Sequence, residues 1–178
     1  MIYTVEITFS AADQEDEWNA WYSPHLFTLL SVPGFETAQR FRRPVGDGYT
    51  YLAAYSISSA GVFESDAYRA IGGGGAASIR WKAAIRRKRN LFDGLARLPE
   101  VSDDHRLVLL DQAAPPQELP NLMFVPLHAI ALDRSIEHRL LTVVHRDDAT
   151  QPALADDPRF AIYTPMTERR LASHSSRA

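Results

Sequence analysis

The hydrophobic period changes twice within the first forty-three residues, and those changes restrict the chain to folds in which a helix lies across a sheet. Ile2 to Phe9 alternates, with Tyr3, Val5, Ile7 and Phe9 on one side and Thr4, Glu6 and Thr8 on the other, the pattern of a half-buried strand. From Asp13 the spacing becomes helical. Trp18, Trp21, Tyr22, His25, Leu26, Leu29 and Leu30 recur every three or four residues after an acidic first turn of Asp13, Glu15, Asp16 and Glu17. Pro24 removes a backbone donor inside this pattern, so the helix is expected to kink, or to end and restart, beside His25. Val32-Pro33-Gly34 stops it. Phe35 to Arg43 then alternates again, with Phe35, Thr37, Gln39 and Phe41 on one face.

Gly46-Asp47-Gly48 marks a turn into a third strand, Tyr49 to Ser58, whose Tyr49, Tyr51, Ala53, Tyr55 and Ile57 share a face. A second helix is expected over Val62 to Ile71, ended by the glycines from Gly72 to Gly75. Ser78 to Lys88 has helical spacing, and Asn90 to Leu98 reads as a fourth strand. The order is β-α-β-β-α-β, a ferredoxin-like α+β unit with helices on one sheet face. Its other face needs a cover. Arg106 to Gln112, Met123 to Asp133, Glu137 to Arg146 and Arg159 to Glu168 read as strands that loosely repeat the first half. The repeat's helices are degenerate, because Ala113 to Leu122 carries three prolines and Asp147 to Pro158 is short and acidic. The expected division is a first half over 1–98, a second over 99–171 and a disordered tail over 172–178.

A net charge of -3 and a pI near 6.1 provide no general attraction to nucleic acid, which is set aside as a primary partner. Absence of cysteine excludes disulfides and thiolate chemistry and is compatible with a reducing cytoplasm, the expected location. No apolar run approaches the roughly 18 residues that span a bilayer, and MIYTVEITFS lacks the features of a secretion signal.

Trp21, Tyr22, His25, Leu26, Leu29, Leu30, Val32, Pro33, Gly34, Phe35, Arg40 and Phe41, followed by Tyr51 and Tyr55, resemble the dimeric α+β barrel superfamily, and within it the EthD-like branch. Phe63 to Ala70, and Trp81 with Arg87 to Asn90, extend the resemblance across 1–98. It implies that two sheets pack face to face into a barrel, by dimerisation or by duplication within one chain. Two pseudo-repeats in cis are the expectation here, with a homodimer as the alternative. The resemblance also implies a pocket histidine acting as acid or base.

His25 occupies that position, and an imidazole exchanges protons near neutral pH without a cofactor. The competing reading is a brace, hydrogen-bonded to a carbonyl freed by Pro24. Tyr51 and Tyr55 suit a role in holding an oxyanion, or in filling the core. His128 shares an alternating face with Phe124, Ile130 and Leu132, which points it into an apolar interior as a second base or a satisfied core residue. Trp21, Tyr22 and Phe41 are expected as pocket walls, with Trp18 on the packing stripe. His138 and His145 are seven residues apart and face opposite ways, so they form no paired metal site on their strand. No metal motif or axial haem ligand stands out, and no cofactor is expected. The glycine run lacks the Gly-Lys-Ser/Thr of a phosphate loop, and Arg86 to Arg89 reads as a solvated basic face. The leading expectation is a cofactor-independent isomerase, cyclase or lyase acting on a small apolar aromatic or carbonyl compound. The alternatives are a cofactorless monooxygenase of phenols and a non-catalytic binder of a hydrophobic molecule.

Overall fold

Alternation along Ile2–Phe9 produces β1, and the strands that follow wrap it into a closed ring. The computed structural model describes residues 1–44 and 48–173. In it β2 (Phe35–Arg42), β3 (Tyr51–Ile57) and β4 (Ile85–Asp93) complete the first half, and β5 (His105–Leu110), β6 (Val125–Leu132), β7 (His138–His145) and β8 (Phe160–Pro165) form the second. A two-residue β9 (Arg170–Leu171) pairs with the outer edge of β2. Spatial order is β2-β3-β1-β4 in the first half and β6-β7-β5-β8 in the second, the same arrangement twice. β4 joins β6 and β8 joins β2, so eight antiparallel strands close on themselves. The free sheet face is therefore buried in cis, and closure removes the exposed edges of two open sheets.

Both faces of β1 are buried. Its apolar side, Tyr3, Val5 and Ile7, packs outward beneath helix α1 (Glu15–Thr28). Its polar side turns into the barrel, where Thr4 and Glu6 are each only 4% exposed. Around them Ile2, Phe41, Leu52 and Phe92 meet Leu107, Leu109, Leu127, Leu141 and Tyr163 from the second half. At one barrel end Gln39 Nε2 donates to the Val101 carbonyl of the β4–β5 connection at 2.7 Å and to that of Thr167, beyond β8, at 3.0 Å. The other end holds Glu6 and Arg139.

α1 runs through Pro24 without ending. Pro24 and Ala20 are both exposed, so the carbonyl that the proline leaves unpaired lies on the solvent side and costs little. In Val32-Pro33-Gly34-Phe35 the Phe35 amide donates to the Val32 carbonyl at 3.1 Å, with proline and glycine where a type II turn places them. Gly34 has φ +95°, and a Cβ there would lie 2.4 Å from Val62 Cγ2. Gly34→Ala is accordingly expected to destabilise the fold by about 2 kcal/mol or more, combining left-handed backbone strain with overpacking; a urea denaturation curve measures it.

Three departures from the sequence expectations matter for the site. Glu36 is an extra residue between the Phe35–Ile57 and Thr37–Ser56 pairs. The bulge reverses the parity of β2, so Phe35 packs outward and Phe41 inward. Ser78 to Lys88 is not a helix: a 3₁₀ segment (Gly73–Trp81) ends there and β4 begins at Ile85, in register with Phe9. The strand expected over Asn90 to Leu98 consequently ends at Asp93. In the second half, no helix lies between β5 and β6, and α3 (Arg146–Ala149) and α4 (Pro152–Ala155) are single turns; α2 (Asp66–Ala70) is the first half's own short counterpart. Hydrogen bonding continues to Ala172, whose amide reaches the Glu36 carbonyl at 2.8 Å. The expected Gly46-Asp47 turn and the tail from 174 onward lie outside the described residues. No helix among those described is long and apolar enough to cross a membrane.

Candidate active site

α1 lays Trp18, Tyr22 and Leu26 against the outer face of the first sheet, and the same stripe brings Trp21 and His25 to a cavity at its edge. Arg40 pins the helix in place. It is fully buried, its guanidinium 4.9, 4.5 and 5.0 Å from the rings of Trp18, Tyr22 and Tyr51, and Nη1 donates to Ser23 Oγ at 3.0 Å. Burial lowers its pKa, with the three tyrosines around it acting in the opposite sense.

The cavity lies between β1, β4, α1 and the segment that carries α2. Tyr3, Val5 and Ile7 come from β1, Tyr55 from β3, and Ile85, Arg87 and Arg89 from β4, while Tyr68, Gly72, Gly73 and Ser78 close it from outside. Its volume is about 50 Å³. That admits water or a diatomic gas, whereas an aromatic substrate needs several hundred Å³. The α2 cover must therefore move for a larger molecule to enter.

His25 is half-buried, stacked on Trp21 with centroids 4.8 Å apart and an interplanar angle of 14°, and edge-on to Tyr22 at 6.4 Å. Its ring nitrogens make no hydrogen bond among the described residues, so the expected brace to a backbone carbonyl is absent. Burial lowers its pKa below the usual value of 6.5. The neutral, proton-accepting form thus dominates at pH 7. A reaction that needs neutral His25 is expected to lose rate as pH falls, with an apparent midpoint below 6.5, and to be flat above it. Folding stability follows the same direction. The unfolded chain takes up a proton near pH 6.5 that the folded one resists, so stability at this site is lost as pH falls below that value. A pH–rate profile of kcat checks the first statement.

Around the cavity the phenols are held protonated. Burial pushes Tyr22 up to about 12, against the lowering influence of Arg40 and Arg87, and pushes Tyr3 and Tyr55 well above the usual phenol value. Tyr3 and Tyr55 stack at 5.3 Å. A neutral base thus shares one cavity with hydrogen-bond donors and with two arginines, a set able to remove a proton and hold the resulting oxyanion.

Of the residues expected from sequence, the fold brings together His25, Trp21, Tyr22 and Tyr55. Tyr51 lies on the same sheet face beside the first turn of α1, where its hydroxyl bonds to Glu15 Oε1 and receives Asn19 Nδ2 at 3.2 Å. It does not line the cavity. Phe41 is inside the barrel, on the opposite side of the sheet, because of the bulge at Glu36. His128 is exposed rather than turned into an apolar interior. Its strand carries an irregularity at Ile130, between the Leu91–Ala131 and Phe92–Ala129 pairs, so Leu132 no longer reports the direction of His128. Tyr3, Tyr68, Arg87 and Arg89 line the cavity and were not anticipated. The alternation of Ile85, Arg87 and Arg89 was the available signal, concealed by reading Ser78 to Lys88 as helical. Among the described residues no three His, Asp or Glu side chains converge as metal ligands would.

No family model matches the chain, and no curated protein matches it. The crystal structure of an anthrone oxidase-like protein aligns with 97% of this chain and 93% of its own, at 12% identity and a TM-score of 0.54. The two share an α+β barrel fold. A second barrel of this kind, a candidate monooxygenase from Lactobacillus acidophilus NCFM, aligns over 96% of this chain and 95% of its own, at 12% identity and a TM-score of 0.50. Neither α+β barrel supports the isomerase, cyclase or lyase expectation.

Proposed function

We propose that this α+β barrel is an oxygen-dependent, cofactor-independent oxidase or monooxygenase of a phenolic or anthrone-type compound, with His25 as the general base. The observation that carries this reading is the imidazole of His25, without a hydrogen bond among the described residues and with its pKa lowered by burial, opening into the same cavity as Tyr22, Tyr55 and Arg89. The two structural neighbours, described as oxidase-like and as a monooxygenase candidate, favour oxygen chemistry over simple proton transfer. In this scheme His25 removes the phenolic proton, or that of the enol form of an anthrone, and Tyr22 and Tyr55 donate to the oxyanion while Arg89 offsets its charge. The electron-rich anion then reacts directly with dioxygen. For a methylene carbon one oxygen atom ends in the new carbonyl, and the other leaves as water with the two hydrogens. Placement in the EthD-like branch, and in the cytoplasm, belongs to the same proposal and rests on the Trp21 to Phe35 motif and the absence of cysteine.

An oxygen electrode with anthrone as substrate tests the reading. One dioxygen consumed per quinone formed, with no added cofactor and no product under nitrogen, is the expected result. Turnover that continues without oxygen would overturn it.

A further inference from the structure

Because the second half repeats the strand order of the first, β5 and β8 stand where β1 and β4 stand around His25. The covering helix is missing there. The chain between β5 and β6 contains no counterpart of α1, and the single turns α3 and α4 lie over the sheet instead. Between them is a cavity of about 680 Å³, far larger than the one at His25 and within the range of small-molecule sites. Its apolar wall is Phe160 and Ile162 of β8 with Ala149 and Ala155 of the two turns.

The cavity is also lined by a cation that no carboxylate among the described residues neutralises. Arg106 is half-buried, and among the described residues its guanidinium bonds only main-chain carbonyls, those of Asp103 at 2.9 Å and His105 at 2.7 Å, both through Nη1. Its Nε and Nη2 have no partner among those residues. Arg146 differs, being paired with Asp104 at 3.3 Å and Asp147 at 3.8 Å. Asp157 on the opposite rim is held by Arg159 at 2.6 Å. A partly desolvated guanidinium beside an apolar wall is electrostatically incomplete, and a planar carboxylate is the partner that its fork accepts in two parallel bonds.

We propose that this cavity is a second ligand site, separate from the His25 cavity, that takes a small amphipathic monocarboxylic acid. The apolar body lies on Phe160 and Ile162, and the carboxylate meets Arg106. Asp147 and Asp156 on the rim disfavour a second negative charge, so dicarboxylates and phosphates are discriminated against.

Titrating the full chain with 1-naphthoate while recording backbone amide chemical shifts tests the proposal. The expected result is one saturable site whose shifts centre on α3, α4 and β8. Affinity should fall at least tenfold for 1-naphthalenemethanol and for naphthalene-2,6-dicarboxylate. Arg106→Gln should weaken naphthoate binding at least tenfold, and Ile162→Trp, which fills the cavity from its wall, should abolish it; amide dispersion in each variant reports that it is folded. Absence of saturable shifts overturns the proposal, as do shifts centred on α1 and β1. Equal affinity for acid and alcohol overturns the carboxylate assignment, and so does binding unchanged in the two variants.

Discussion

Arg139→Ala is expected to remove about 3–5 kcal/mol of folding stability, because it strands a buried carboxylate inside the barrel. Arg139 extends from β7 across the barrel end, with its side chain 2% exposed, and Nη1 donates to Glu6 Oε1 at 2.8 Å. Nε and Nη2 hold both oxygens of Asp111, at 2.7 and 3.1 Å. Burial alone pulls the guanidinium pKa down, yet Glu6 and Asp111 together raise it above its ordinary value. Without Arg139, Glu6 keeps only Lys88, at 3.3 Å and at the barrel mouth. Asp111, 44% exposed, returns to water. The double variant Glu6→Met/Arg139→Met removes both charges and should recover most of the loss, since apolar replacements of a buried pair are often neutral or better. Urea midpoints of the three proteins measure the effect. Equal stability of wild type and Arg139→Ala would show that the pair contributes nothing.

His25→Ala is expected to lower kcat for a verified substrate by about 10²- to 10⁴-fold, the usual contribution of a positioned general base. The fold should survive, because the imidazole makes ring contacts with Trp21 and Tyr22 and, among the described residues, no hydrogen bond that other groups depend on. Thermal unfolding of the variant separates the two effects. Addition of free imidazole offers a second readout, restoring part of the rate if His25 acts on a proton and none if it only shapes the cavity. Unchanged turnover removes His25 from the chemistry.

The first half was largely legible because its strands alternate cleanly. Val32-Pro33-Gly34 also marks its turn by backbone requirements that only those residue types meet. Alternation correctly located Tyr3, Val5 and Ile7 on one face. It placed Thr4 and Glu6 on the other face, the one that needed a cover, but a polar side chain in a barrel looks the same in sequence as one on a surface. Single-residue insertions were invisible. The bulge at Glu36 moved Phe41 to the wrong face, and the irregularity at Ile130 did the same for His128, because parity counts on both sides of an inserted residue disagree. Arginines hid β4: Ile85, Arg87 and Arg89 carry an outward-facing strand pattern, but long basic side chains resemble a helix surface when Lys88 points inward to Glu6. The second half's strands were found without its cavity, since a missing helix leaves no positive mark.

Ring closure also dictates the order in which this protein can acquire its structure during synthesis. Phe41 must find Pro165, and Asn90 must find Leu132, before the barrel is sealed. Such distant pairings are slow to form. While the ribosome is still making β5 to β8, the first four strands already exist, and Ile2, Phe41, Leu52 and Phe92 have nothing to pack against. Two nascent first halves offer each other the same sticky surface. Slowing translation between β4 and β5 would lengthen that exposure, favouring swapped assemblies over monomers.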